Sequence, residues 1–135
     1  MRKFLFLLIL MLGIGLASAD AQTYYYRTTS FAYKYTNSYG NWTNWSDWQE
    51  SSLRISIDFD NDVIKIFSPK TQVYVVVSRG ERYTDASGGS QIIFSVIDQD
   101  GDRGSIRFRV ERNGNSQLYV DFADAMWVYN VVKKE

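Results

Sequence analysis

Three tryptophans at three-residue spacing are the side chains of this chain best suited to bind another molecule. Trp42, Trp45 and Trp48 lie close together in the sequence. An indole has a large flat face that can stack on sugar rings or on a partner's side chains. A polyproline-II segment would place all three rings on one side, whereas a β-strand would place Trp45 opposite the other two. We predict a ligand-binding surface here, with Tyr39 and Trp127 as further candidates.

Burial is the alternative interpretation of these tryptophans, because large aromatic side chains are mostly buried in folded proteins. In that case the rings of Trp42, Trp45 and Trp48 would plug one end of a sheet. The solvent exposure of the three rings decides between the two interpretations.

Arginines on one predicted strand form a second candidate site. Arg103, Arg107 and Arg109 lie on its polar side, with Glu111 following. Guanidinium groups bind carboxylates and phosphates through paired hydrogen bonds, so the row predicts a weak anion-binding site. A solvated face whose charges pair across the sheet is the alternative, and the even balance of 15 basic and 15 acidic residues favours it.

Catalytic and metal-binding chemistry has little support in the sequence. The chain has no histidine and no cysteine, which excludes Ser-His-Asp triads, thiol nucleophiles and the usual zinc sites. Asp98–Asp102 resembles the start of a calcium loop, but Arg109 stands where an EF-hand needs glutamate. We therefore expect no metal, no cofactor and no enzymatic activity. A small hydrolase using two carboxylates is the alternative, although turn carboxylates are too well solvated to acquire the raised pKa that it requires.

The elements that position these side chains are predicted to be β-strands. Apolar and polar residues alternate along residues 53–59, 106–111 and 118–122, as in antiparallel strands with one face on the core. Residues 73–77 and 92–97 are more continuously apolar, so we expect both of their faces to be covered.

Turn signals between these runs predict the fold class. Asn113-Gly114 predicts a type I′ hairpin. Seven or eight short strands predict a single all-β domain, either an antiparallel β-barrel or a β-sandwich. Their number and order resemble the meander of lipocalin-type barrels. The predicted core comprises Leu53, Ile55, Ile57, Ile64, Ile66, Val73, Val75, Val77, Ile92, Phe94, Ile106, Phe108, Val110, Leu118, Val120, Met126 and Val128.

The first residues predict export. Arg2 and Lys3 precede an apolar run over residues 4–16, and Ala17-Ser18-Ala19 follows it, which is the layout of a secretory signal peptide. The run is shorter than the roughly 20 residues of a transmembrane helix. We expect a signal peptide over residues 1–19 and an all-β domain over residues 20–135, with cleavage after Ala21 as an alternative. The mature protein would be periplasmic or secreted and would not span the membrane.

Aromatic abundance suggests the function. Without Arg2 and Lys3 the mature part has 13 basic and 15 acidic residues, so its charge does not favour nucleic acid. All ten tyrosines, all four tryptophans and six of the eight phenylalanines lie in this part. We predict an exported, non-catalytic module that binds a glycan, a small apolar molecule or a protein partner through its aromatic residues. A structural subunit of a cell-envelope assembly is the alternative.

Overall fold

Ten β-strands make up the regular structure of residues 23–134, which are the residues that this computed structural model describes. The predicted signal peptide, residues 1–19, lies outside the described residues. Within residues 23–134 no helix has the length and hydropathy needed to cross a membrane. The strands are β1 (Thr23–Tyr35), β2 (Gln49–Glu50), β3 (Arg54–Asp58), β4 (Val63–Ile66), β5 (Gln72–Arg79), β6 (Tyr83–Thr84), β7 (Ser90–Ile97), β8 (Arg103–Val110), β9 (Ser116–Asp121) and β10 (Ala125–Lys133).

Eight of these strands close into an antiparallel barrel. The order is β1-β3-β4-β5-β7-β8-β9-β10, and β10 pairs with β1 to close it. The short strands β2 and β6 lie outside this circuit and pair with β1 and β7. The predicted antiparallel all-β fold is therefore confirmed, and of the two predicted architectures the chain adopts the barrel. Closure removes the open edges that a sandwich would expose.

Branched apolar side chains fill the middle of the barrel. Side chains of successive residues point alternately inward and outward along each strand. Burial of each large inward side chain contributes about 1.5–3 kcal/mol. Because these side chains fill the middle of the barrel, the cavities occur at its two ends. The fully enclosed side chains include Ile55, Ile64, Ile66, Val96, Ile106, Leu118 and Val120.

The two ends of the barrel carry different connections. The upper end is formed by the β4–β5, β7–β8 and β9–β10 turns and by the last residues of β1. The lower end is formed by the β3–β4 and β8–β9 turns and by the first residues of β1.

Four turns share one construction that the sequence analysis missed. In each, the fourth residue is a glycine at positive φ whose amide donates to the carbonyl of the first residue. This is a type I turn closed by a glycine bulge. The predicted type I′ turn at Asn113-Gly114 is wrong, because it needs a positive φ at both residues and only Gly114 has one. The four turns span residues 37–41, 85–89, 98–102 and 111–115.

The predicted core is wrong on β5. Val75 and Val77 are each 48% exposed on the outside, whereas Tyr74 is buried. An unbroken apolar run has no period of two to show which residues face inward, and a bulge between Val76 and Ser78 shifts the register further. The expectation that both faces of residues 73–77 and 92–97 would be covered is also wrong, because Ile93 on β7 is exposed as well.

On β10 the predicted core is wrong for Met126, and both Met126 and Val128 lie on the outer face. Their neighbours Trp127, Tyr129 and Val131 take the inward positions, and Tyr129 and Val131 are buried in the core. Val128 is nevertheless buried, which means that another part of the chain covers the outside of the barrel at this point.

Two matched substitutions test the register of β5 against that of β7. Val96→Ala removes two methyl groups from an enclosed inward side chain, so we expect a loss of about 2 kcal/mol in the free energy of unfolding. Val75→Ala makes the same change on the outer face and should cost less than about 0.5 kcal/mol. Urea unfolding of both variants measures the difference, and equal losses would contradict the assigned register.

Candidate functional site

The tryptophan-containing segment runs back along β1 in an extended, three-residue repeat. The backbone amides of Thr43 and Ser46 donate to β1 carbonyls at 2.8 and 2.7 Å, and Gln49 pairs with β1 next. The contacting residues of the segment are three apart, while those of β1 are two apart. Three residues of the segment therefore advance by two residues of β1, about 6.7 Å, which is less than the roughly 9 Å that three residues of polyproline II would span. The partners in β1 are Tyr35, Tyr33 and Phe31.

Hydroxyl side chains supply the acceptors that a three-residue repeat would otherwise lack. The Tyr35 amide donates to Thr43 Oγ1 at 3.1 Å, and the Tyr33 amide donates to Ser46 Oγ at 2.9 Å. Thr43 and Ser46 therefore each form a donor and an acceptor bond with one residue of β1, as a paired strand residue would. The Asn-Trp-Thr and Asn-Trp-Ser triplets of the sequence thus have a backbone-pairing role.

The repeat gives the segment three rows of side chains. One row faces β1. Each residue of that row is preceded by a tryptophan, so Trp42, Trp45 and Trp48 form a second row, which we call the tryptophan strip. They are 39%, 40% and 50% exposed. The third row, Asn41, Asn44 and Asp47, is also exposed. The strip therefore presents aromatic surface beside amide and carboxylate groups.

A lysine holds two indoles of the strip. Lys34 Nζ lies 5.4 Å from the ring centroid of Trp42 and 4.8 Å from that of Trp45. Each cation–π contact at a partly exposed site contributes about 0.5–1 kcal/mol. Because Lys34 points outward from β1, its contacts hold both rings against the outer wall of the barrel.

Aromatic contacts extend from the strip across β10 to β9. The rings of Trp45 and Tyr119 meet edge to face with their centroids 6.4 Å apart. Ala32 and Val128 pair across β1 and β10, and Val128 pairs with Tyr119 across β9, so these residues form one row. We infer that Trp45 lies over this row, which explains why Ala32 and Val128 are buried although they face outward.

The three predicted anion-binding arginines have different surroundings. Arg107 Nε is 2.6 Å from Asp121 Oδ2, and its guanidinium lies 4.1 Å from the Tyr119 ring centroid. Arg109 is bound by two other carboxylates of the chain, those of Asp85 and Glu111. Arg103 instead borders a cavity at the upper end. Carboxylates of the chain thus already pair with two of the three guanidinium groups, and the anion site stays a prediction.

Arg109 joins the β6–β7 hairpin to the barrel wall. Its Nη2 is 2.8 Å from Asp85 Oδ2, and its Nε is 2.7 Å from Glu111 Oε2. These carboxylates raise the pKa of Arg109. Hydrogen bonds from the Ser87 hydroxyl and from Arg109 lower the pKa of Asp85 to about 2. Arg109, Asp85 and Glu111 therefore form a structural clamp.

Trp127 lies apart from the strip, in a cavity of about 480 Å³ at the upper end. Its ring stacks on Phe122, with centroids 6.1 Å apart, and Phe122 meets Tyr74 at 6.3 Å. Burial raises the pKa of Tyr74. The Trp127 indole nitrogen is buried and has no hydrogen-bond partner among the described residues. The rim is formed by Asp98, Asp102, Arg103 and Asp124.

Tyr39, the remaining predicted site residue, lies at the tip of the turn over residues 37–41 and is 87% exposed. The turn is fastened to the upper end because the Thr36 amide donates to the Asp124 carbonyl at 3.0 Å. Tyr39 is thus carried on the turn that connects β1 to the strip.

The acidic turn Asp98–Asp102 is explained by turn chemistry. Asp98 Oδ1 accepts the backbone amides of Asp100 and Asp102, both at 2.9 Å, which is a common role for aspartate in turns. Carboxylate oxygens of the three aspartates lie within 4.8 Å of one another. This closeness follows from the turn, and we assign no ion to it.

Comparison of the chain with protein-family models, with curated proteins and with solved structures finds no match. The candidate sites are therefore judged by their geometry and chemistry.

Ser46→Ala tests the hydroxyl pairing. The variant removes the acceptor of the Tyr33 amide, so the exchange rate of that amide should rise about fivefold to tenfold, since such a bond contributes about 1 kcal/mol. Hydrogen exchange measured by NMR gives the rate, with the Tyr35 amide as internal reference. Asn44→Ala, in the exposed row, is the control and should leave both rates unchanged. An unaltered rate at Tyr33 in the Ser46 variant would show that the pairing is not formed.

The Asp85–Arg109 clamp predicts a dependence of stability on acid. The pKa of Asp85 in the folded protein is lowered to about 2. Its contribution to the free energy of unfolding is therefore present above the pKa of the unfolded state, about 4, and is lost as the pH falls towards 2. Asp85→Asn should therefore lose less stability than the unaltered protein between pH 5 and pH 2. Urea unfolding at both pH values measures this. Asp60→Asn, in an exposed turn, is the control, and an identical acid response of all three proteins would rule the clamp out.

Proposed function

We propose that the protein is an exported, non-catalytic module that binds carbohydrate chains along the tryptophan strip. The observation that carries this proposal is the alignment of three half-exposed indoles beside a polar row on one extended segment. Sugar rings have apolar C–H faces and hydroxyl edges. Indoles can stack on the faces, while amide and carboxylate groups can bind the hydroxyls.

The spacing of the strip suits an extended polymer. Three residues of the segment span two residues of β1, so successive tryptophans are about 6.7 Å apart along the segment. The three indoles thus line about 13 Å of the barrel wall, which would let Trp42, Trp45 and Trp48 contact rings along one chain. A linear glycan therefore fits the strip better than a compact ligand does.

Preorganisation supports a binding role. The segment is held by its hydrogen bonds to β1 and by Lys34 between Trp42 and Trp45. Groups already held in the free protein lose little conformational entropy when a ligand binds. Aromatic rings mounted this way form a ready surface for stacking.

The carboxylates support a role without catalysis. General acid catalysis needs a carboxyl group with a raised pKa. Hydrogen bonds lower the pKa of Asp58, and the one from the Asn61 side chain has the largest effect. The pKa of Asp85 is also lowered. Asp121 is paired with Arg107. These groups serve the fold, which argues against the alternative of a hydrolase.

A structural subunit of an envelope assembly is the second candidate. Val75, Val77 and Ile93 are exposed together on the outer wall formed by β5 and β7. Clustered exposed apolar side chains often mark protein interfaces. Under this alternative the protein would associate through the barrel wall, and the tryptophan strip would not be needed.

Substitution of the three strip residues by alanine tests the glycan proposal. We expect affinity for the glycans that bind the unaltered protein to fall about 100-fold, if each lost stack contributes about 1 kcal/mol. Affinity electrophoresis against soluble cellulose, xylan, chitosan and β-glucan measures retention, while circular dichroism checks the fold. The matched control replaces three exposed aromatics elsewhere, Tyr25, Phe67 and Tyr83. Failure of every glycan to bind the unaltered protein, or equal losses in both triple variants, would contradict the proposal.

A further inference from the structure

The lower end of the barrel holds a cavity whose chemistry differs from that of the strip. Its volume is about 220 Å³, and its lining is almost wholly apolar. We propose that this cavity binds a small organic anion with an apolar body, typified by a single-ring aromatic carboxylate. The proposal is independent of glycan binding, because the cavity shares no residue with the tryptophan strip.

Aromatic rings form the walls of this cavity. Tyr24 meets Phe59 edge-on with centroids 5.6 Å apart, and Tyr26 meets Phe108 at 5.1 Å. Phe94 is buried beneath them, 6.1 Å from Phe59. Rings at these separations form a rigid recess whose faces and edges can pack against a flat apolar ligand.

The cavity exposes apolar surface that ligand binding would remove from water. Phe94 and Ile57 are buried at its base, whereas Tyr24, Phe59 and Phe108 above them are only partly buried. Each square ångström of apolar surface removed from water contributes about 25 cal/mol. A ligand with an apolar body would gain this contribution by occupying the recess.

Two cations stand at the rim of the same cavity. Lys133 pairs in register with the wall residue Tyr26, and its Nζ lies 5.0 Å from the ring centroid of Tyr24. Arg79 pairs in register with Phe94, and its guanidinium carbon lies 4.8 Å from the ring centroid of Phe59. Strand register thus brings both charges to the edge of the aromatic walls.

The charge balance at the rim favours an anion. Asp62 pairs with Arg79 at 2.5 Å, which neutralises one of the two cations. For Lys133 the described residues provide no carboxylate within 4 Å, so one positive charge is left over. A carboxylate group at the rim can pair with Lys133 while its apolar body lies against the rings.

The volume limits the size of the ligand. Pockets for drug-sized molecules usually have at least about 300 Å³, and this cavity has about 220 Å³. The enclosed side chains in the middle of the barrel, such as Ile106 and Leu118, prevent the ligand from reaching deeper. The site therefore suits one ring with a short acidic arm.

Titration with phenylacetate and with its neutral analogue phenylacetamide tests the proposal. The two molecules are similar in shape, so a difference between them reports the charge. NMR titration should show phenylacetate shifting the amide signals of Ile92 and Phe108, with an affinity about tenfold higher than that of phenylacetamide.

Two variants locate the binding. Lys133→Gln should weaken phenylacetate binding about fivefold and leave phenylacetamide binding unchanged, while Lys70→Gln, in the β4–β5 turn at the opposite end, should change neither. Ile92→Phe adds bulk to the cavity wall and should reduce the binding of both ligands, with retention of the fold checked by circular dichroism.

Three outcomes would overturn the proposal. Equal affinity for the two ligands would show that the rim charges do not select an anion. Absence of shifts at Ile92 and Phe108 at tens of millimolar phenylacetate would show that the cavity is not a site. Concentration-dependent dimerisation in sedimentation, with lower-end signals that neither ligand alters, would assign the surface to a second copy of the chain.

Discussion

The backbone of β1 beyond Phe31 needs hydrogen-bond partners, and the way in which it finds them determines the position of the tryptophan strip. β10 satisfies one side of β1. On the other side the returning chain is not a regular strand, so Thr43 and Ser46 provide hydroxyl acceptors in addition to their backbone donors. Three residues of the returning segment pair along two residues of β1, so every third side chain of the segment lies in the same row. The tryptophans occupy one such row. Exposure of the indoles is thus a consequence of backbone pairing.

The packed middle of the barrel separates two chemically distinct ends. Fully enclosed side chains such as Ile64, Ile106 and Leu118 fill the interior. The upper cavity combines an aromatic stack with Asp98, Arg103 and other charged groups, whereas the lower cavity is aromatic with cations at its rim. Because a filled core lies between them, ligands at the two ends would be bound independently. The wall of the barrel carries the strip as a third surface.

The sequence predicts the antiparallel strands and most of the core because alternation marks the inward face, as at Ile55 and Ile57. It does not predict the register of β5, where consecutive valines conceal the period and a bulge alters it. Nor does it predict the partners of Arg107 and Arg109, because Asp121 and Asp85 are distant in the chain and meet them only through strand pairing. The hydroxyl residue after each of Trp42 and Trp45 is the signal that would have indicated pairing with β1. The sequence does not show that Trp127 lies away from the tryptophan strip, because its inward position depends on the register of β10.

Solvent access to the four indole rings tests most directly whether the tryptophan strip can meet a ligand. Photo-CIDNP NMR polarises only those tryptophans that a dissolved dye can reach. We predict strong polarisation of Trp42, Trp45 and Trp48 and weak polarisation of Trp127, whose indole nitrogen is enclosed. Weak polarisation of all four rings would contradict this prediction, because the strip would then be part of the packed interior and unable to meet a ligand.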